Sequence, residues 1–252
     1  MKVSIITVSY NSEQTIEDTI VSVVDQSYKN IEYIIVDGGS SDGTVDIAKK
    51  YTDKIFKIIS EKDKGIYDAM NKGIAIATGN IVGILNSDDI YYDNKVIEDV
   101  VTLFQKENTD SVYADLQYVN KENTNIVSRI WKSGLYQQGK FLKGWMPPHP
   151  TFFVKNELYK KLGNYNTSLQ SAADYELMLR FIHRHNIKIS YLPRTIIKMR
   201  AGGKSNITLK NRIKANIEDR KAWKLNGIKP NFFTLFRKPL SKIFQFSFGS
   251  SK

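Results

Sequence analysis

Two adjacent carboxylates follow an apolar run directly in Ile81-Val82-Gly83-Ile84-Leu85-Asn86-Ser87-Asp88-Asp89. With the amide of Asn86 and the hydroxyl of Ser87 they offer hard oxygen donors, which suit Mn2+ or Mg2+ and the phosphate oxygens those ions share. The pair equally suits the capping of the turn that follows, a common use of Asp. Asp174, in Ser171-Ala172-Ala173-Asp174-Tyr175-Glu176, opens a run whose Leu177, Met178 and Phe181 recur at helical spacing. A carboxylate anchored in this way can take a proton from an attacking hydroxyl; its alternative use is to stabilise a helix N-terminus. His149 lies in Met146-Pro147-Pro148-His149-Pro150, where a neutral imidazole can complete a metal shell or touch a pyrophosphate, or simply serve as a polar surface group.

Two further segments carry polar groups at short spacing. In Asp37-Gly38-Gly39-Ser40-Ser41-Asp42-Gly43 the glycines allow backbone to approach a ligand closely, and Asp37 can accept from a nucleobase imide or a ribose hydroxyl. The spacing is that of neither a P-loop nor a dinucleotide fingerprint. The stretch Glu61 to Gly73 mixes acids, bases and amides before an Ala-containing helix. Lys64 and Gly65 precede that helix, and Asp68, Asn71 and Lys72 share one of its faces. A solvated helix start, with Asp68 at the favourable dipole end, explains the same residues.

These segments need a frame to hold them. Val3 to Ser9 is a β-branched run, and after Tyr10-Asn11 an amphipathic helix is marked by Ile16, Ile20, Val23 and Val24. Tyr33 to Val36, Lys54 to Ser60 and Ile81 to Leu85 read as strands alternating with helices that end near Tyr51, cover Asp68 to Thr78 and run from Asn94 to Lys106. This alternation predicts a mostly parallel central sheet covered by helices on both faces. Ligands of such sheets bind beyond the carboxyl ends of the strands. Those ends carry Tyr10-Asn11, Asp37-Gly38-Gly39 and Asn86 to Asp89. Farther on, Ser111 to Ile130 reads as short strands, Thr151 to Val154 as a strand, Asn156 to Leu162 and Ala172 to His185 as helices, and Ile187 to Leu192 and Ile196 to Arg200 as two strands.

Taken together, the ordered segments resemble the family-two glycosyltransferases, in particular the bacterial polysaccharide branch that includes colanic-acid-type enzymes. The resemblance runs from Val3 to about Ser205. It rests on Ile5 to Asn11, Val36 to Thr44, Asp63 to Gly73, His149-Pro150-Thr151-Phe152-Phe153 and Ala173-Asp174-Tyr175-Glu176. It implies a GT-A (nucleotide-diphospho-sugar transferase) fold of the α/β class. It also implies a nucleotide-sugar donor, probed first as a UDP-sugar, and a glycan or lipid-linked acceptor. Tyr10 and Asp37 would then hold the base, and Asp68 and Asn86 the ribose or diphosphate, with Asn11, Gly38, Lys64, Gly65, Asn71 and Ser87 around the same donor. Asp88 would bind the metal, assisted by Asp89 and His149, and Asp174 would be the general base of an inverting transfer. The sequence departs from the usual Asp-x-Asp at its first position, where Asn86 stands. Two other functions fit parts of the pattern. A nucleotidyltransferase is expected to carry a Gly-rich basic loop after its first strand, where this chain has Tyr10-Asn11-Ser12-Glu13. A silent nucleotide-sugar or glycan-binding module would not need both Asp88 and Asp174.

The bulk composition sets the surroundings. At 252 residues, 41% hydrophobic and 25% charged, the chain fits one large globular domain. The expected division is one GT-A domain over 1–230, with a donor half at 1–95, an acceptor half at 96–230 and a basic aromatic tail at 231–252. There are no cysteines, which fits a reducing compartment. The first residues lack a small-residue cleavage site, so a cytoplasmic location is expected. The net charge is +11, yet Lys204 to Lys252 alone holds 12 Lys and Arg against two acids, and the remainder is 25 against 24. The charge therefore belongs to the C-terminal end, which also carries six of the 12 phenylalanines. Basic residues interleaved with aromatic rings suit a segment that docks on the inner face of an anionic membrane; a helix packing its rings on the core is the alternative. Nucleic acid is not an expected partner.

Overall fold

The computed structural model describes residues 1–202 and 209–228, with side chains in the last helix described from residue 216. The tail expected at 231–252 lies outside the described residues. Strand β1 (Val3–Ser9) is buried along its whole length, and its alternate residues feed two cores. Ile6 and Val8 join one, while Val3 and Ile5 join the other, as the two-residue period of a strand with both faces covered requires. Helix α1 (Ile16–Val24) buries Ile16, Thr19, Ile20 and Val23, one face at helical spacing. Then follow β2 (Ile31–Asp37), α2 (Thr44–Lys49), β3 (Lys57–Ser60), α3 (Ile66–Ile76), β4 (Ile81–Asn86), the short β5 (Asp89–Tyr91) and α4 (Val96–Glu107). Helix α3 packs closely on β1 because Gly73 has no side chain, and a Cβ there would lie 2.4 Å from Ile6 Cγ2.

The second half adds a hairpin, β6 (Ser111–Val119) with β7 (Val127–Trp131), then β8 (Phe153–Lys155), α5 (Asn156–Leu162), α6 (Ala173–Met178), β9 (Ile189–Arg200) and α7 (Leu209–Leu225). A π-helical turn over Leu179–Arg184 continues α6. The sheet order is β3-β2-β1-β4-β8-β6-β9-β5, with β7 paired to β6. Strands β3, β2, β1 and β4 are mutually parallel, as the βα alternation predicts. Beyond them the sheet is mixed: β8 runs antiparallel to both β4 and β6, and β5 antiparallel to β9. Only β6 and β7 are joined by a short reversal; the other antiparallel pairs bring together strands far apart in the chain, and β6 runs parallel to β9 across a long connection that includes α5 and α6.

At one end of the parallel strands Ser9 pairs with Asp37, and Val8 with Asn86. The carboxyl-terminal residues named from the sequence therefore occupy neighbouring rungs. Nearer the opposite end, buried Glu32 accepts from Ser4 Oγ at 2.5 Å and from Thr78 Oγ1 at 2.5 Å, and pairs with Lys2. Burial alone would raise this carboxyl, but the Lys2, Ser4 and Thr78 contacts outweigh it and bring its pKa down to about 2. That cluster fastens the sheet far from the polar edge.

Candidate active site

The polar edge is built from loops that hold one another. Asn11, at φ 48°, follows β1 and donates its backbone N–H to Ser40 Oγ at 2.8 Å, while its side-chain Oδ1 accepts from Ser41 N at 3.0 Å. Its main chain and its side chain thus both join the loop after β1 to the loop after β2. Ser87 Oγ bonds Ser12 Oγ at 2.8 Å and ties in the loop after β4. Tyr10, 55% exposed, stands out from this stitched floor and is the aromatic ring there able to face a planar base. Gly38 lies close to Asp63: a Cβ there would sit 2.4 Å from Oδ2, so a larger residue would displace that carboxylate.

Asp37 is held by its own loop and by residues of β1 and β3. It is 1% exposed. Its Oδ2 accepts from Gly39 N at 3.0 Å, Ser40 N at 2.9 Å and Ser60 Oγ at 2.8 Å, and its Oδ1 from Ser9 Oγ at 3.1 Å and Ser40 Oγ at 2.5 Å. A carboxylate has about four lone-pair sites, so these five contacts shape the loop after β2, and a base imide would reach Asp37 by exchanging with one of them. Asn71 is turned away from the donor loops. Its Nδ2 donates to Tyr165 O and its Oδ1 accepts from Tyr165 N, both at 2.9 Å. Of the helix face expected to act together, Asp68 and Lys72 remain paired at 3.7 Å. Asp68 Oδ2 also accepts from Lys64 N at 3.1 Å, and Gly65, at φ 115°, starts α3 immediately afterwards.

The acidic turn after β4 divides into three roles. Asp88 is half-buried, and its carbonyl accepts from Arg200 Nη1 at 2.9 Å. Burial raises its carboxyl above the ordinary range, opposed by the Arg200 charge. Asp89 is fully buried at the start of β5, where its carbonyl accepts from Thr19 Oγ1 at 2.8 Å and its Oδ2 from Asn86 Nδ2 at 3.2 Å. Desolvation, reinforced by the neighbouring Asp88 charge, holds the Asp89 carboxyl well above its usual value. Asn86 Oδ1 and Asp89 Oδ1 are both buried without a hydrogen-bond partner. Unpaired buried oxygens are costly, and this concentration of hard donors beside Asp88 fits a divalent cation.

His149 does not complete that set. Among the described residues no three His, Cys, Asp or Glu side chains come together as a metal cluster. The Nε2 of His149 instead lies 2.7 Å from Tyr165 Oη. Pro148 and Pro150 frame a 3-10 turn over His149–Thr151, where Thr151 was expected to open a strand, and that turn leaves the ring against Tyr165. Burial lowers the imidazole pKa while the charge of Asp174 opposes the shift. Asp174 itself lies in the first turn of α6, half-buried, with Oδ1 3.1 Å from the Tyr67 hydroxyl. Protein groups therefore supply few cation ligands here, the pattern of sites whose shell is completed by substrate phosphates.

The sequence model of the family described as glycosyl transferase family 2 matches residues 4–166. The chain belongs to that family. A family-two relative from Rickettsia typhi, described as an uncharacterized glycosyltransferase, is 32% identical over 187 residues, which cover 71% of this chain and 58% of that protein. The chain thus spans less than two thirds of that relative's length. A PGL/p-HBAD biosynthesis glycosyltransferase of Mycobacterium bovis BCG is 30% identical over 181 residues, covering 70% and 68% of the two chains. Among solved structures, S. aureus TarS 1–349 in complex with UDP-GlcNAc superposes with a TM-score of 0.70 at 20% identity, covering 90% of this chain and 65% of that one. The mannosyltransferase PcManGT from Pyrobaculum calidifontis, in complex with GDP-Man and Mn2+, gives 0.66 at 18% identity, covering 96% and 73%. The GT-A fold of the α/β class implied by the motifs is the fold observed, with a sheet that is parallel in its first four strands and mixed beyond them.

Three site residues of this family-two chain escaped the sequence reading. Arg200 is 5% exposed and joins the Asp88 carbonyl to the Asp18 carboxylate and to Lys121 O. Its partners are up to 182 positions away, so no local spacing could announce it. Tyr67 stood within a quoted motif but without a role. Glu218 on α7 accepts from Gln170 N, Ser171 N and Ser171 Oγ, and so holds the segment that leads into Asp174.

Proposed function

We propose that this chain is an inverting glycosyltransferase that moves a sugar from a nucleoside-diphosphate donor to a hydroxyl of a glycan or lipid-linked acceptor, in surface polysaccharide assembly. The observation that carries this reading is the half-buried Asp88 beside the unpartnered buried oxygens of Asn86 and Asp89, on the same polar edge as the stitched loops. Asp88, with the oxygens of that turn, would hold Mn2+ or Mg2+, whose charge stabilises the leaving diphosphate. Asp174 takes the proton from the acceptor hydroxyl, which attacks the anomeric carbon from the face opposite the diphosphate. A single displacement inverts the configuration and needs no covalent intermediate. Tyr10 faces the base, and Asp68 with the Lys64–Gly65 loop lines the donor side.

UDP-sugars are the first donors to test and GDP-sugars the second, as TarS and PcManGT are seen with UDP-GlcNAc and GDP-Man respectively. A thermal-shift panel of nucleotide-sugars with Mn2+ should raise the melting point for one nucleotide class, because a ligand that binds only the native state stabilises it. At a concentration 100 times Kd the gain is ~2.7 kcal/mol. No shift with any donor would remove the reading.

The division into a catalytic domain at 1–230 and a membrane-docking tail is part of the same proposal. No helix among the described residues is long and apolar enough to cross a membrane. The tail's Lys and Arg would each contribute on the order of 1 kcal/mol at an anionic surface, and the Phe rings an apolar contribution that salt does not screen. Trp223, fully buried, and Ile228, packed on the core, both precede a cut after Pro230. Truncation there should leave donor binding intact, abolish sedimentation with anionic liposomes and reduce transfer to a lipid-linked acceptor. A full-length protein that ignores anionic vesicles at low salt would refute the tail's role.

A further inference from the structure

Asp174 does not stand alone in its half of the cleft. Among the described residues, the hydrogen bond to its side chain comes from Tyr67, whose hydroxyl lies 3.1 Å from Oδ1. Tyr67 is only 9% exposed. Its burial and the charge of Asp174 hold the phenol far above its ordinary pKa, so it remains a donor at any working pH.

The support behind Tyr67 is rigid. Its ring stacks on Tyr165 with centroids 5.7 Å apart and planes 17° from parallel. One helical turn along α3, Asn71 grips the Tyr165 backbone through both N–H and C=O, at 2.9 Å each. The far end of Tyr165 is held by His149, 2.7 Å from its hydroxyl. Helix α3 in turn is pressed on β1 at Gly73, where there is no room for a methyl group. The helix that begins at the Lys64–Gly65 loop thus reaches across to the carboxylate on α6.

The geometry points to Tyr67 as a positioning residue for Asp174, fixing Oδ1 so that Oδ2 is the oxygen presented to the acceptor hydroxyl. This rests on Asp174 acting as the base. A base must lie within hydrogen-bond reach of the proton it removes, and small displacements of a reacting group cost rate steeply. A carboxylate on a short side chain, half-exposed and otherwise free to rotate, gains that placement from one buried donor. His149 and Tyr165 face it from the other packed elements: the charge of Asp174 opposes the burial-driven fall of the imidazole pKa and helps to raise that of the Tyr165 phenol, whose ring stacks on Tyr67.

A double-mutant cycle on the full-length protein tests this, with kcat, acceptor KM, donor affinity and melting temperature measured for Tyr67→Phe, Asp174→Asn and the double variant. Tyr67→Phe should lower kcat ~10-fold with donor affinity unchanged. In the Asp174→Asn background the same change should alter the residual rate less than about two-fold, because residues acting through one contact are not additive. An equal loss in both backgrounds, or no loss in either, would reduce Tyr67 to a packing residue. Near-normal turnover of Asp174→Asn alone would instead remove the base assignment, so the two failures are distinguishable. Should the Phe variant not fold, ring-fluorinated tyrosine at position 67 keeps shape and hydroxyl while changing donor strength. An unchanged kcat in that protein overturns the proposal; a changed kcat at unchanged melting temperature supports it.

Discussion

Asp174→Asn should lower turnover by ~10²-fold or more, the usual scale for a positioned general base, while donor affinity stays within a few-fold. Asn keeps the shape of the side chain, and its Oδ1 can still accept from the Tyr67 hydroxyl, 3.1 Å away in the parent. What it loses is the capacity to take a proton. The environment makes the substitution clean: Asp174 is half-buried, forms no salt bridge among the described residues, and its helix is fastened by other groups. Tyr175 accepts from Trp223 Nε1 at 3.0 Å, and Glu176 pairs with Arg180 at 3.0 Å. Initial-rate transfer measured beside donor binding therefore separates chemistry from folding. Turnover near that of the parent would return Asp174 to the role of an acidic helix-terminus residue.

The comparison of sequence with structure shows where local pattern carries information. The run at Val3–Ser9 and the apolar run into Asn86 have both faces buried, and such strands are legible by their density of β-branched and apolar residues, although β1 also buries Ser4, Thr7 and Ser9. The helices were legible for a similar reason: α4, for example, buries Val96, Ile97, Val100, Val101 and Phe104 on one face. Strand β9 was expected as two pieces, Ile187 to Leu192 and Ile196 to Arg200, on either side of Pro193. The structure carries the chain through as one strand, with the register shifting between Leu192, opposite Ala114, and Thr195, opposite Asp115. The proline sits where the ladder is already irregular, and a missing N–H costs little there.

The site was legible in residue types and less so in contacts. That Asp37 and Asn86 share one edge follows from strand ends alone, and their rungs adjoin as expected. That Asp37 accepts from Ser9, Ser40 and Ser60 does not follow, since Ser60 is 23 positions away on another strand. Asn71 and Tyr165 meet across 94 positions, and Arg200 and Asp18 across 182. A helical wheel places Asn71 beside Asp68 and Lys72 but cannot say that a backbone from the second half will occupy its amide. Side chains whose partners are distant in sequence are the ones whose contacts local spacing cannot give.

Asp88→Ala should abolish cation-dependent donor binding, and with it turnover, because the diphosphate and the ion bind as one unit. A bound cation contributes several kcal/mol of stabilisation to developing phosphate charge, so turnover should fall by at least ~10²-fold at 1.4 kcal/mol per decade. Asp88 is the member of the turn to remove. Asp89 is fully buried, engages Asn86, and sits where β5 joins β9, so its loss would disturb the sheet as well as the site. Asp88 meets Arg200 through its backbone carbonyl, a contact that alanine retains. Its half-buried carboxylate can therefore be deleted with the loop left in place, and the melting temperature without donor should change little. In the parent, chelator should extinguish activity and added Mn2+ or Mg2+ should restore it. In Asp88→Ala, neither ion should restore donor binding above the level the parent shows in chelator. Full activity of the parent in chelator, or a variant that still binds donor more tightly with Mn2+ than without, would sink the cation assignment. Transfer would then have to rely on protein hydrogen-bond donors alone to stabilise the leaving diphosphate.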